Sequence, residues 1–170
     1  MIHVLVSACL LGEKVRYNGA EASCMDPIIA KWLAEQRIVP FCPEVASGLG
    51  VPRPAAEIRG GAGGAVLDGA WHVVTLVGEN VTEFYVRGAR LALDLALRNG
   101  VRLAVLKEGS PSCGSTFIHD GSFTGARRQG QGVTTALLER TGIRVFNEQQ
   151  LDAAAKHLAS LEDIPLRGLA

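Results

Sequence analysis

Residues 2–12, I-H-V-L-V-S-A-C-L-L-G, carry a valine-rich apolar run that stops at Cys9 and is followed by Gly12. A short apolar run of this kind, bounded by a turn, reads as a strand covered on both faces, the kind parallel sheets contain. Two later stretches repeat the arrangement. I-V-P-F at 38–41 runs into Cys42-Pro43-Glu44, and V-R-L-A-V-L at 101–106 empties into Ser110-Pro111-Ser112-Cys113-Gly114. Helical patterns lie between them. Asp26-Pro27 supplies an N-cap and a first-turn proline for an amphipathic helix ending near Arg37. A longer helix, 81–98, can be capped by Asn80 or Thr82 and closes at Asn99-Gly100, with Phe84, Val86, Leu91, Leu93, Leu95 and Leu97 as its apolar face. Helix 133–141, strand 143–146 and helix 148–159 complete the pattern. Strands alternating with helices predict an α/β fold: one domain in three layers, α/β/α, around a mostly parallel, Rossmann-like sheet. Segment 65–77, A-V-L-D-G-A-W-H-V-V-T-L-V, alternates like a small β-hairpin turning at Asp68-Gly69. The Pro- and Gly-rich stretch 43–64 reads as loop, and 115–131 as looser sequence with a short β element.

Composition narrows the function classes. The chain has 170 residues, expected to form one domain over 1–170, with 48% apolar and 20% charged residues. Seventeen acidic residues balance seventeen basic ones, and aromatics are only 5%, so neither a nucleic-acid polymer nor a membrane is an expected partner. No apolar run approaches the ~20 residues of a membrane span. Val6-Ser7-Ala8-Cys9 superficially resembles a lipoprotein cleavage box, but a signal peptide needs a basic leader and an apolar stretch of roughly 7–15 residues. Here Met1 leads directly into the strand. A cytoplasmic location is expected, where thiols stay reduced and cysteines at turns point to metal binding or catalysis. The expected oligomeric state is a monomer or weak homodimer.

In open parallel sheets, ligands bind outside the carboxyl ends of the strands. Cys9, Cys42 and Cys113 all fall at such ends, so they converge if their strands are neighbours. Three converging thiolates suit a soft metal or an iron–sulfur cluster. The competing reading is that each is an ordinary small buried apolar residue. Cys24 lacks the strand-end setting. A zinc site would need a fourth donor, for which His119 in F-I-H-D-G is the best placed. His3 and His72 sit in strand patterns and His157 in a helix. There is no C-x-x-C pair, and spacing alone leaves the metal open. Glu44, two residues past Cys42, enters the same crevice as a general acid or base. Ser110 and Ser112 can donate hydrogen bonds to substrate or cluster sulfur, or simply form the turn. Arg53, Glu57 and Arg59 can grip a polar or phosphorylated ligand. The Gly-rich stretch 60–64 lacks the strand-to-helix setting of a dinucleotide fingerprint. Gly130-Gln131-Gly132-Val133-Thr134-Thr135 opens a helix and can hold an anion, although Arg127 and Arg128 beside it suit a basic surface loop better.

Taken in order, V-S-A-C-L-L-G, V-R-Y-N-G, F-C-P-E-V, P-R-P-A-A-E-I, S-P-S-C-G and G-V-T-T-A-L-L resemble the bacterial thiouracil desulfidase family over roughly residues 3–146. The chain departs from that pattern at Gln131, where the family often carries an acidic residue. The resemblance implies a [4Fe–4S] cluster held by Cys9, Cys42 and Cys113, with a fourth iron that has no protein ligand. It implies a small-molecule thiopyrimidine as partner: 2- or 4-thiouracil, or its nucleoside or nucleotide. Glu44 would activate water or shuttle protons, and Ser110 would position substrate; Ser112, Arg53 and Glu57, singled out by residue type, are the expected substrate-binding residues. The products would be the oxo-pyrimidine and hydrogen sulfide, with no net electron transfer. The alternative is a non-catalytic iron–sulfur or zinc module for partner binding or redox sensing.

Overall fold

The structure, a computed structural model, describes residues 1–163. In chain order its elements are β1 (His3–Ser7), α1 (Pro27–Ala34), β2 (Ile38–Phe41), α2 (Pro43–Ala46), β3 (Ala56–Arg59), α3 (Gly63–Leu67) and β4 (His72–Thr75). They continue with α4 (Thr82–Arg98), β5 (Val101–Leu106), β6 (Phe117–His119), β7 (Arg127–Gln129), α5 (Val133–Arg140), β8 (Arg144–Asn147) and α6 (Leu151–Glu162). A single 3-10 turn, Ala8–Leu11, follows β1. Asp26 caps α1 as its sequence requires, with its carboxylate accepting from the Ile28 amide at 2.7 Å and Pro27 in the first turn.

The main sheet has the order β2-β1-β5-β8 and is parallel throughout. The chain leaves β1 toward β2 and returns to place β5 on the other side of β1. The topological switch point therefore lies between β1 and β5, where open α/β sheets bind ligands. Alternation along each strand builds the two faces. Val4, Val6, Leu103 and Val105 pack against Trp32 of α1 and Leu158 of α6. Leu5, Ala104 and Leu106 point the other way, against Ala92 and Ala96 of α4 and Leu138 of α5. This is the expected α/β/α sandwich. Side chains such as Leu5 and Leu103, at most 1% exposed, each contribute about 1.5–3 kcal/mol by leaving water. None of the described helices is long and apolar enough to cross a membrane.

Two expectations are corrected. Segment 65–77 is not a hairpin: Ala65-Val66-Leu67 belong to α3, Asp68 ends that helix, and Gly69 takes φ 78°. The strand it does contain, β4, pairs antiparallel with β3, inside the stretch read as loop. Val66 is buried beside Val133, so its apolar residue serves a helix face, not a strand alternation. The second correction concerns α4. Its core-facing stripe is Tyr85, Ala89, Ala92 and Ala96, while Leu91 and Leu97 are exposed. Small residues let the helix lie close to its neighbours. At Gly88 a Cβ would stand 2.4 Å from the Pro43 carbonyl oxygen, so only glycine permits this approach of α4 to α2. That contact fixes the position of Cys42-Pro43-Glu44.

Candidate active site

The cavity opens at the carboxyl ends of β2, β1 and β5. It has a volume of about 690 Å³, within the range of small-molecule sites, and Cys9, Cys42 and Cys113 all line it. Cys9 lies in the 3-10 turn after β1, Cys42 is the N-cap of α2, and Cys113 sits in the loop after β5. All three are free thiols. Burial raises the Cys9 thiol to about 11, and the charge of Cys42 adds to the shift. Burial also raises Cys113, helped by Cys42, Glu44 and Cys9. At Cys42 burial again raises the thiol, opposed by the amides of Val45 and Glu44 at the start of α2. Each thiolate would thus form at a cost from desolvation and, for Cys9 and Cys113, from the others' charge. A bound cation removes that cost.

The described residues contain no group of three or more His, Cys, Asp or Glu placed to hold a metal ion. His119, the fourth donor a zinc site would use, lines the same cavity as Cys9, Cys42 and Cys113, and its Nδ1 is buried without a hydrogen-bond partner. All three thiols line this one cavity. An all-sulfur donor set spread around a cavity fits a polynuclear iron–sulfur group better than a single ion. Cys24 is half-buried against the core and does not line the cavity.

Glu44 projects from the first turn of α2 into the cavity. Arg53 grips its Oε2, donating from Nε at 2.8 Å and from Nη2 at 2.5 Å. The rest of the guanidinium donates to the carbonyls of Gly50 and Val15, each at 3.0 Å. Four of the five guanidinium N–H groups of Arg53 are thus used within the protein, two of them on Glu44. The other carboxylate oxygen, Oε1, accepts from Ser110 Oγ at 3.4 Å. Ser110 Oγ in turn accepts from the amides of Ser112 and Cys113, so it ties the acid to the cysteine loop. Tyr85 of α4 lines the same wall, and burial with the nearby Glu44 charge holds its phenol well above the ordinary range.

The other expected site residues divide. Glu57 lines the cavity, where its carboxylate accepts from the amides of Gly121 and Phe123 at 2.9 and 3.1 Å. It thereby holds the loop that presents Phe123, a residue at φ 57°. Ser112 was expected at the substrate. It is instead fully buried, paired with Thr134 Oγ1 at 2.8 Å, and does not line the cavity. Arg59 is exposed and also outside it. The start of α5 is not an anion site, because the amides of Val133, Thr134 and Thr135 donate to the carbonyls of Pro111 and Ser112. Gly132 makes this possible: a Cβ there would meet the Ser112 carbonyl at 2.4 Å. Arg127 does line the cavity, 4.4 Å above the Phe117 ring.

Sequence reasoning passed over Lys107, Glu108, Glu148 and Tyr85, all lining the cavity. Lys107 pairs with Glu148, and both follow the ends of neighbouring strands, β5 and β8. The strand-end rule that found the cysteines would have found this pair too. Nothing local marks Tyr85.

Fold and site together define an α/β protein with a thiol-ringed, carboxylate-bearing cavity at the switch point of a parallel sheet. Residues 4–150 match the model of the 2-thiouracil desulfurase family. The chain belongs to that family, in agreement with the motif resemblance. It is 46% identical over 149 residues to the uncharacterized protein YbbK of Bacillus subtilis (strain 168), covering 88% of this chain and 97% of the relative. Among solved structures it is similar to the [4Fe-4S]-dependent thiouracil desulfidase TudS, with 48% identity and a TM-score of 0.86 over 94% of this chain and 99% of that one.

Proposed function

We propose that this chain is an iron–sulfur-dependent desulfidase that converts a thiouracil and water to the oxo-pyrimidine and hydrogen sulfide. The observation that carries the reading is the meeting of three free thiols and an Arg53-anchored Glu44 in one cavity of a 2-thiouracil desulfurase family member. Cys9, Cys42 and Cys113 would hold a [4Fe–4S] cluster. With three protein ligands for four irons, the bound cluster would supply a Lewis-acidic iron to polarise the thiocarbonyl sulfur.

The chain's own residues supply binding and proton handling. Exchange of C=S for C=O by water releases sulfide and two protons without oxidation or reduction, so the site needs a proton acceptor and no electron donor. Glu44 is the acceptor: Arg53 fixes Oε2, leaving Oε1 on the Ser110 side to take a proton from water and return it to departing sulfur. Ser110 accepts two amide bonds, which leaves its single proton for Glu44 or for a substrate heteroatom. Tyr85 stays protonated and can donate its phenolic hydrogen toward the same region. Glu57 keeps Phe123 against the substrate. The partner is a free thiopyrimidine rather than a polymer or a membrane. The enzyme is a single domain, of which residues 1–163 are described, working in the reducing cytoplasm as a monomer or weak homodimer.

Purified without oxygen, the protein is expected to be brown, to bind about four irons per chain, and to release sulfide from 2- or 4-thiouracil. Sulfide release by colourless, iron-free protein would overturn the cluster assignment. Brown protein inert toward both thiouracils would overturn the substrate assignment.

A further inference from the structure

The loop that carries Ser110 and Cys113 folds around one buried carboxylate that neither binds a cluster nor reaches a reacting atom in the scheme above. Glu108 is 7% exposed and accepts from the amides of Gly109, Ser115 and Thr116 at 3.1, 2.8 and 3.2 Å. It also accepts from the hydroxyls of Ser115 and Thr116 at 2.9 and 2.8 Å, more weakly from the Phe117 amide at 3.4 Å, and from the Asn147 side-chain amide. Donors therefore come from both ends of the segment 109–117 and from the end of β8. The Glu108 backbone amide is itself held by Glu148 at 2.9 Å. The loop's outer side is pinned separately, by α5 amides on Pro111 and Ser112.

We propose that Glu108 is a positioning residue for the desulfidase site: its carboxylate cross-links the ends of the 109–117 loop and so holds Cys113 and Ser110 toward the cavity. A buried carboxylate satisfied by this many donors is expensive to disturb, because each donor left behind loses a charge-assisted bond. Glutamine retains the size but places an NH2 group among donors, so it opposes the same partners. The role is local. Losing Glu108 loosens this loop before it loosens the strand-end turns that carry Cys9 and Cys42.

The inference rests on the proposed ligand role of Cys113, but its main test does not. Cluster-free protein is alkylated with iodoacetamide, and the rate at each cysteine is read by peptide mass. In Glu108→Gln, Cys113 is expected to react about tenfold faster or more, with Cys9 and Cys42 changed less than about twofold. Unchanged Cys113 labelling overturns the proposal. So does a parallel rise at all three cysteines, which would mean general destabilisation. If Glu108→Gln does not fold, Ser115→Ala and Thr116→Val each remove one hydroxyl donor and should raise Cys113 labelling selectively by about threefold; no selective rise in either overturns it. After reconstitution, Glu108→Gln should also show an altered visible absorbance. Iron content and sulfide release of the unsubstituted protein test the functional reading separately.

Discussion

At the residue scale the proposed chemistry rests on Glu44, and its neighbours decide what it can do. Arg53 and Glu44 are 7% and 12% exposed at their side chains and form a close ion pair. Replacing Glu44 by Gln should leave iron content unchanged and lower kcat by about 10²–10⁴, as loss of a general acid–base group does; full activity in the sulfide assay would remove Glu44 from the mechanism. Arg53→Met poses a different problem, since it strands a carboxylate with little solvent. Breaking a buried pair from one side costs about 3–5 kcal/mol, and urea unfolding should show a loss of that order. The double variant Glu44→Gln/Arg53→Met should recover much of it, because no charge is left alone. Glu108 makes a pH prediction of its own. Burial opposes its ionisation, but hydrogen bonds from Thr116 and Ser115 outweigh this and hold the carboxyl at about 2 against an ordinary 4.5. Its contribution is therefore complete above about 4.5 and is lost as pH falls from there through about 2. Acid melts of the cluster-free protein should steepen across that window, and Glu108→Gln should flatten it.

At the scale of elements, the active-site groups are set by close packing between helices and loops. Gly88→Ala places a methyl 2.4 Å from the Pro43 carbonyl and must push α4 away from α2. Overpacking of this kind costs about 1–3 kcal/mol. Because the moved element carries Cys42 and Glu44, iron content and kcat should both fall, while Gly78→Ala, whose Cβ meets nothing within 4 Å, should leave iron content unchanged despite a strained backbone. Helix α5 works similarly beneath Cys113. Its first amides are spent on Pro111 and Ser112, so Gly130–Thr135, legible as a helix start, does not offer them to an anion, the lesser of the two readings its sequence allowed. The helix start is a local signal. Which acceptor meets it depends on a loop some twenty residues earlier in the chain, and no local pattern reports that.

For the whole molecule, the sheet order β2-β1-β5-β8 brings together three strand ends whose cysteines stand far apart in sequence. Replacing Cys9, Cys42 and Cys113 together by Ala is expected to abolish iron binding. It should leave the fold intact by circular dichroism, because buried neutral thiols behave as small apolar residues. Unfolding of that variant would show that the thiols are needed for packing.

The sequence by itself determined the α1 cap at Asp26-Pro27, strands β1, β2 and β5, their cysteine-bearing ends, and the ordered motifs of the family. These are legible because an apolar run, a capping side chain or a turn residue acts over a few neighbouring positions. It did not determine the β3–β4 pairing, the alanine face of α4, the burial of Ser112, or the roles of Arg53 and Glu108. Arg53 reads in the sequence as a residue able to grip a polar or phosphorylated ligand, and the tertiary structure adds that it holds Glu44. Strand partners, helix faces and buried ion pairs are chosen by which surfaces exclude water together, and that choice exists only once distant segments have met.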